Sequence, residues 1–485
     1  MNSFLNALKE EFNYTLTENG ATTHKSTLNA VLDMFGMGGS MRNRSEDDIV
    51  NMFCKAYNED KDLALKCLFY LRDARCGQGE RRFFRTCYRW LANEYPNDAL
   101  YLMPYVAEYG RYDDLFVLFG TEMEGDMMAY VKKVIDTNED HLIYKWMPSI
   151  NTSSEKAKLY GRKFARYFKM TEAQYRRMLS KGRKACNLVE TLMSQNRWDQ
   201  IAFDKLPSRA GLLYKRAFAR REETKERYAA FMADKSTKVN AAVLNPVDIA
   251  HQIFNTYSYT SAERLAWQKY WDALPDYYSG KEEPGIAVVD VSGSMTGQPM
   301  EAAVSMGAYI AERGKGPFKN HFITFSAAPQ LVEFSGKDIW EKFRNAKGAD
   351  WGYNTNIEAV FKLLLNTAVK NKTAAADMPK TLYIFSDMEF DVGLDVSRDG
   401  VGTLIERIEK KWKAYGYELP RIIFWNLDCR HENIPALGSK FSYVNGFSMN
   451  MVECILGGKN GVDLMLEKLN SKRYEVIHSI YKSRE

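Results

Sequence analysis

Apolar residues recur at helical spacing from Ser45 to about Arg89. Ile49, Met52, Phe53 and Tyr57 fall on one face, and Leu63, Leu65, Leu68, Phe69 and Leu71 form the next stripe. Ser45 followed by Asp48 reads as an N-cap with an acid in the first turn. Arg75-Cys76-Gly77-Gln78-Gly79 breaks the pattern, and Glu80 to Glu94 predicts a third helix ended by Pro96. A helix pair is expected from Ala99 to Phe119, with Gly110 as a C-cap between its members. Residues 1–45 read as a loosely structured arm with short helices, with turns at Thr17–Ala21 and Gly36–Gly39. His141 to Arg227 is again helical.

From about Pro284 the period changes. Short runs apolar on both faces, Ile286–Val289, His321–Phe325, Leu382–Phe385, Ile422–Trp425 and Phe441–Val444, alternate with helical patterns. Those helices are Pro299–Glu312, Ile339–Phe343, Ile357–Val369, Leu404–Tyr415 and Val462–Leu469. Strands of this type, spaced by helices, predict a mostly parallel, doubly wound sheet. The fold class expected is therefore α + α/β. An arm (1–45) precedes an all-helical domain of HEAT-like repeats (46–280), which precedes a Rossmann-like domain (284–485).

Composition narrows the class of protein. Of 485 residues, 45% are hydrophobic and 27% charged, an ordinary globular balance. No apolar run approaches the ~20 residues of a membrane span, and the N-terminus lacks the basic and apolar regions of a secretory signal. Seven scattered cysteines without C-x-x-C spacing, and only six histidines, argue against a disulfide framework or a zinc site and for a reducing cytoplasm. Glycine loops of the Walker type and G-x-S-x-G are absent, which argues against NTPase and hydrolase chemistry.

Charge adds a partner. The net +5 is unevenly spread: residues 141–230 hold 21 Lys+Arg against 8 Asp+Glu, a local +13 that leaves −8 elsewhere. Lys158, Arg162, Arg166 and Lys169 line one predicted helix, and Arg176, Arg177, Lys181, Arg183 and Lys184 the next. Arg216 and Arg220 share a face of a third. Phe164, Tyr167, Phe168 and Tyr175 are interleaved. Such faces suit a phosphate backbone, with the aromatics available for stacking. They equally suit solvated amphipathic helices whose aromatics are core.

The candidate chemistry is at Asp290-Val291-Ser292-Gly293-Ser294, directly after the first predicted strand. Open α/β sheets bind ligands at that end. One carboxylate and two hydroxyls form a hard-oxygen cluster of the kind that suits Mg²⁺. Thr355, in Gly352-Tyr353-Asn354-Thr355-Asn356 before a helix, and Asp387, at the end of a strand, belong at the same edge. Asp350, Glu389 and Asp391 are accessory at best. Helix capping by Asp290 and the serines is the plainer reading, but it needs neither Thr355 nor Asp387. The set resembles the metal-ion-dependent adhesion site (MIDAS) of von Willebrand factor A domains, whose pattern is D-x-S-x-S, then a threonine, then an aspartate. Asp290, Ser292, Ser294, Thr355 and Asp387 match its five positions in order. The resemblance implies a bound Mg²⁺ or another divalent cation. Ser292 and Ser294 would coordinate directly, Thr355 and Asp387 directly or through water, and a partner's carboxylate would complete the shell.

A helical part followed by such a domain resembles the TROVE-domain proteins, the Ro ribonucleoproteins and their relatives. Cys76-Gly77-Gln78-Gly79-Glu80-Arg81 and Gly110-Arg111-Tyr112-Asp113-Asp114-Leu115 stand where that family has Gly/Arg-rich turns. Lys145–Asn151, Asn187–Thr191 and Pro207–Ala210 resemble an uncharacterised TROVE-like branch. The resemblance implies a ring of helical repeats closed by the A domain, and RNA as partner. The function expected is a non-enzymatic RNA-binding protein with an acidic protein ligand at the metal. No membrane and no small-molecule substrate are expected. The alternatives are a metal-dependent protein scaffold without RNA and a metal-dependent phosphatase or nuclease. The last lacks a second acid two residues after Asp290 and the carboxylates of a two-metal site.

Overall fold

The computed structural model describes residues 8–186, 188–278, 284–325, 328–348, 355–393, 402–456 and 458–481. Asp350 and Gly352–Asn354 lie outside the described residues, as does Asn187. Among the described residues no helix is long and apolar enough to cross a membrane.

The C-terminal part is built on six strands: β3 (Gly285–Asp290), β4 (His321–Phe325), β5 (Gln330–Glu333), β6 (Thr381–Ser386), β7 (Arg421–Asn426) and β8 (Phe441–Asn445). Their order is β5-β4-β3-β6-β7-β8, parallel throughout except for β5. Every residue of β6 and β8 is buried, which is why both read as largely apolar on both faces. Strand β5 is not expected from the sequence; only one of its four residues is buried, so it carries no apolar run. Chain direction across the sheet reverses between β3 and β6, with β4 on one side and β6 on the other. A crevice opens outside the C-terminal ends of strands at such a point. Asp290 ends β3, and Asp387 directly follows β6.

The N-terminal part is helical. Glu46–Glu59, Lys61–Arg72 and Arg82–Glu94 pack on one another. The Ser45 hydroxyl accepts the Asp48 amide at 3.1 Å, as the cap pattern predicts. The third helix ends at Glu94 as expected, and Pro96 also begins the next one, Pro96–Leu102, because proline at the first position loses no intrahelical hydrogen bond. The predicted pair around Gly110 is a short helix, Val106–Tyr109, and a 3₁₀ turn, Tyr112–Leu118. Gly110 is needed there for space. A Cβ would collide with the Asp114 carboxylate and lie 2.8 Å from the Arg72 guanidinium.

Residues 8–45 are not a loose arm. Strands β1 (Tyr14–Leu16) and β2 (Thr22–His24) form a hairpin, and His24 bridges to Ile434 of the α/β domain. Helix Ala30–Met37 packs on β8, and its Phe35 carbonyl accepts from Asn445. Gly36, which reads as a turn, lies inside that helix; its missing side chain lets the backbone approach Tyr443, whose Cβ would be 2.9 Å from an added Cβ. At the far end of the helical part, Pro246–Phe254 packs on helix Gln298–Arg313. The chain after the sheet returns to the first helices. Arg473 and Tyr474 bind Asp73 (2.9 and 3.0 Å), and Ser479 and the Ile480 amide bind Asp98 (both 2.7 Å). The helical part therefore touches the α/β part at both its beginning and its end.

Candidate functional site: an oxygen cluster and an arginine-lined cavity

Asp290, Ser292 and Ser294 lie at the sheet's switch point, where the charge of Asp387 acts on Asp290. Asp290, Ser292, Thr355 and Asp387 are buried, and Ser294 is half-buried. The Ser292 and Ser294 hydroxyls lie 3.1 Å apart. One Asp290 oxygen accepts the Ser292 amide at 2.9 Å and the other accepts the Ser386 hydroxyl at 2.6 Å. Thr355 is tied to the segment that carries Asp387. Its amide donates to the Asp391 carboxylate (3.2 Å) and its carbonyl accepts the Asp391 amide (3.1 Å). Asp387 accepts the Glu389 amide at 3.1 Å and the Arg430 guanidinium at 2.9 Å. Burial, and then the neighbouring charge of Asp387, push the Asp290 carboxyl up to about 7. Two buried acids, one of them raised by burial and by the other's charge, together with hydroxyl oxygens are a donor set whose chemistry fits a hard divalent cation.

Several residues around the cluster are not legible as site residues in the sequence. Ser386 orients Asp290, and Arg430 is the cation already beside Asp387. Glu389 is fully buried; it accepts Asn433 at 2.8 Å and the Glu18 amide at 2.6 Å, with His431 Nδ1 at 2.9 Å. Glu18, Glu389 and His431 bring one ligand atom each within 4.8 Å of one another. Glu18 and Asn19 arrive from the β1–β2 hairpin, more than 330 residues away in the chain.

The basic helices are those predicted, Glu155–Tyr167, Glu172–Ala185 and Ser208–Arg220, but their side chains divide into two groups. Arg166, Lys169, Arg177, Lys181, Lys184 and Arg216 are exposed, and no ion pair engages them among the described residues. Lys158 pairs with Glu155, Arg162 with Glu172 and Arg220 with Glu263, while Arg176 donates to Asn151. Arg183 is structural. Its guanidinium donates to the carbonyls of Tyr144 and Met147 and to the Ser149 hydroxyl at 2.8–2.9 Å, which fixes that loop. Two of the interleaved aromatics are core, whereas Phe168 is half-buried and Tyr167 exposed. Phe164 and Tyr175 are fully buried, and the Tyr175 hydroxyl is bonded to the Pro148 carbonyl. Helical periodicity placed them inward, and the need to bury aromatic area decided their role.

Lys215, on the last of these helices, is buried over the Trp267 ring at 5.2 Å, and burial pulls its amine down to about 8 from 10.5. Below pH 8 the ammonium is charged in both states, and the fold carries the desolvation cost. Between pH 8 and 10.5 the unfolded chain binds more protons, so this group makes stability rise with pH. Lys215→Met should therefore stabilise the protein by on the order of 2 kcal/mol at pH 6, with the gain fading by pH 10. Denaturant midpoints at the two pH values measure it.

A cavity of about 790 Å³ lies between the helical part and the α/β part. Its walls come from residues 42–112, from 140–146, 207–209 and 242–245, and from Tyr277, Gln298, Ser448 and Asn450. Eight basic side chains line it, Arg42, Arg72, Arg75, Arg81, Arg82, Arg111, Lys145 and Arg209, against two acids, Glu80 and Asp140. Arg42 pairs with Glu80 and Arg72 with Asp114. Arg75 and Arg82 donate to carbonyls, and no carboxylate pairs with them among the described residues. Arg111 lies over Trp146 at 4.5 Å. Burial, with the nearby guanidinium groups of Arg81 and Arg72, holds Arg111 below its usual value. This wall is not visible as a basic segment of the sequence, because its arginines come from short separated turns. The available signal was the pairing of glycine with arginine at 77–82 and 110–111.

Two family models match the chain. A domain of unknown function, DUF2828, matches residues 17–142 and 142–274, and a second, DUF7788, matches residues 284–483. An uncharacterized protein of Acanthamoeba polyphaga mimivirus is 30% identical over 506 residues, covering 94% of this chain and 87% of that protein. Among solved structures, the crystal structure of the Deinococcus radiodurans Ro (RSR) protein is similar at 13% identity with a TM-score of 0.49, over 92% of this chain and 100% of that one.

Proposed function

Given that this chain belongs to the DUF2828 family, with a DUF7788 domain at residues 284–483, we propose that it is a cytoplasmic, non-enzymatic RNA-binding protein. The observation that carries the proposal is the excess of guanidinium groups in the central cavity. Arginine binds phosphate through paired, charge-assisted hydrogen bonds, and a phosphate backbone gains most of its affinity from such contacts. A volume of about 790 Å³ suits a nucleotide or a short single strand and excludes a duplex. The turns that resemble those of Ro ribonucleoproteins, Cys76–Arg81 and Gly110–Leu115, supply part of this wall. The exposed cations from Arg166 to Arg216 offer a further phosphate track outside the cavity.

In the α/β domain, Asp290, Ser292, Ser294, Thr355 and Asp387 would hold Mg²⁺. Their role is to join the end of β3, the Thr355 loop and the exit of β6. When bound, the ion supplies charge compensation for the two buried acids.

Filter binding with a labelled single-stranded RNA tests the reading. Four phosphate contacts predict about a fiftyfold loss of affinity between about 50 and 200 mM salt. Arg81→Ala with Arg111→Ala should weaken binding and reduce the salt slope by about 1.4. An affinity indifferent to both changes, or no retention at about 50 mM salt, would exclude RNA from the cavity.

A further inference from the structure

We propose that the hairpin tip Thr17–Gly20 is a cover strapped over the Asp290–Asp387 site, and that Arg430 links the cover to the site by acting as counter-ion to both Asp387 and Glu18. The inference rests on the metal reading of that site.

Among the described residues, the bonds the tip makes to the α/β domain land on the site's rim. The Thr17 hydroxyl donates to the Phe390 carbonyl at 2.7 Å, and the Glu18 amide donates to the Glu389 carboxylate at 2.6 Å. The Asn19 carboxamide donates to the Glu389 carbonyl at 2.6 Å and to the Thr355 hydroxyl at 3.4 Å. Gly20 pairs with Asp391, and its φ of +84° turns the chain where a Cβ would come within 3.0 Å of Val392. Glu18 and Asn19 are exposed, whereas Asp387 and Glu389 beneath them are buried. The tip thus lies between solvent and these two acids.

Arg430 is the linking group. One arm of its guanidinium is 2.9 Å from Asp387 and the other 2.6 Å from Glu18. A divalent cation held by Asp290, Ser292 and Ser294 draws on Asp387, directly or through water, and so competes with Arg430 for the same carboxylate. It also places like charge close to the guanidinium. Cation and strap therefore oppose one another, and the opposition is reciprocal: whatever loosens Arg430 strengthens the cation's hold, and the cation loosens the hairpin.

The test uses Mn²⁺ as probe, with free Mn²⁺ counted by electron paramagnetic resonance and hairpin opening followed by amide hydrogen exchange of residues 17–21. Arg430→Gln should bind Mn²⁺ about tenfold more tightly than the wild type. Saturating Mn²⁺ should speed exchange of the Glu18 and Ala21 amides in the wild type and leave them unchanged in Asp290→Ala. Glu18→Gln, an exposed substitution that cuts the strap from its other side, should speed the same amides without any metal. Mn²⁺ binding that is equal in wild type and Arg430→Gln, with hairpin amides indifferent to Mn²⁺, would overturn the strap and leave the metal site standing. Absence of Mn²⁺ binding in both proteins would overturn the metal site and the strap together.

Discussion

Asp114→Ala should cost about 4 kcal/mol of folding stability, enough to unfold a large share of the protein at moderate temperature. Asp114 is fully buried and accepts three donors. Arg72 reaches one oxygen at 2.7 Å, Arg85 the other at 2.6 Å, and the Arg111 amide is at 3.0 Å. Arg72 is only 3% exposed, so removing the carboxylate strands a buried guanidinium. Arg85 retains Asp113 at 2.7 Å and moves less. Asp114→Asn keeps the shape and one acceptor and should lose about half as much. Arg72→Met with Asp114→Leu removes both charges and should recover much of the loss. Guanidinium chloride unfolding followed by circular dichroism measures all three. A loss under about 1 kcal/mol for Asp114→Ala would mean that Arg72 finds water or another acceptor. The same pair holds the turn that presents Arg111 to the cavity, so RNA affinity should fall with stability in Asp114→Ala.

Gly77→Ala should cost about 3 kcal/mol through overpacking. A Cβ on residue 77 would sit on the Tyr70 carbonyl oxygen, well inside contact distance, and 3.0 Å from the Asp73 Cβ. That carbonyl is backbone at the end of helix Lys61–Arg72 and accepts the amides of Asp73 and Gln78, both at 3.2 Å, so it has no freedom to give way. The helix end must move, and with it Asp73, which receives the returning C-terminal segment, and Arg72 in the cavity wall. Gly125→Ala is the matched control. It lies in the first turn of helix Glu124–Thr137 with nothing within 4 Å of an added Cβ, and should be neutral or stabilising by up to about 1 kcal/mol. Thermal melts of the two variants should move in opposite directions; a common shift would place the effect in the unfolded chain.

The parts of this protein that were legible are those governed by local period and local chemistry. Strand β3 announces itself because a parallel strand covered on both sides needs apolar residues at every position, and Asp290 stands out at its end. What was hidden depends on distance. Pro96 and Gly36 are ordinary breakers by composition, and only a neighbouring helix or strand shows that one opens a helix and the other permits close packing. The cavity arginines are ion-paired, carbonyl-bound or stacked according to partners elsewhere in the fold, so a count of charge along 141–230 drew attention to the outer helices instead. Arg430 carries no motif at all. Its role follows from Asp387 and Glu18 meeting at one guanidinium, a juxtaposition of three segments that no spacing rule describes.

The docking of the early helix Ala30–Met37 on β8 has a consequence for biosynthesis. The apolar face of that helix packs on a strand about 400 residues later in the chain. At ribosomal speeds of about 5–20 residues per second, that face waits roughly 20–80 s for its partner. Loop closure over such a span contributes only slowly to stability while it delays assembly. Phe35 already stacks on Tyr70 of an early helix, but the Gly36 face, on which Tyr443 packs, should stay uncovered in nascent chains until β8 emerges and should be bound by chaperones through that window. Truncations that stop before Phe441 should stay chaperone-bound, and those that extend past Asn445 should be released.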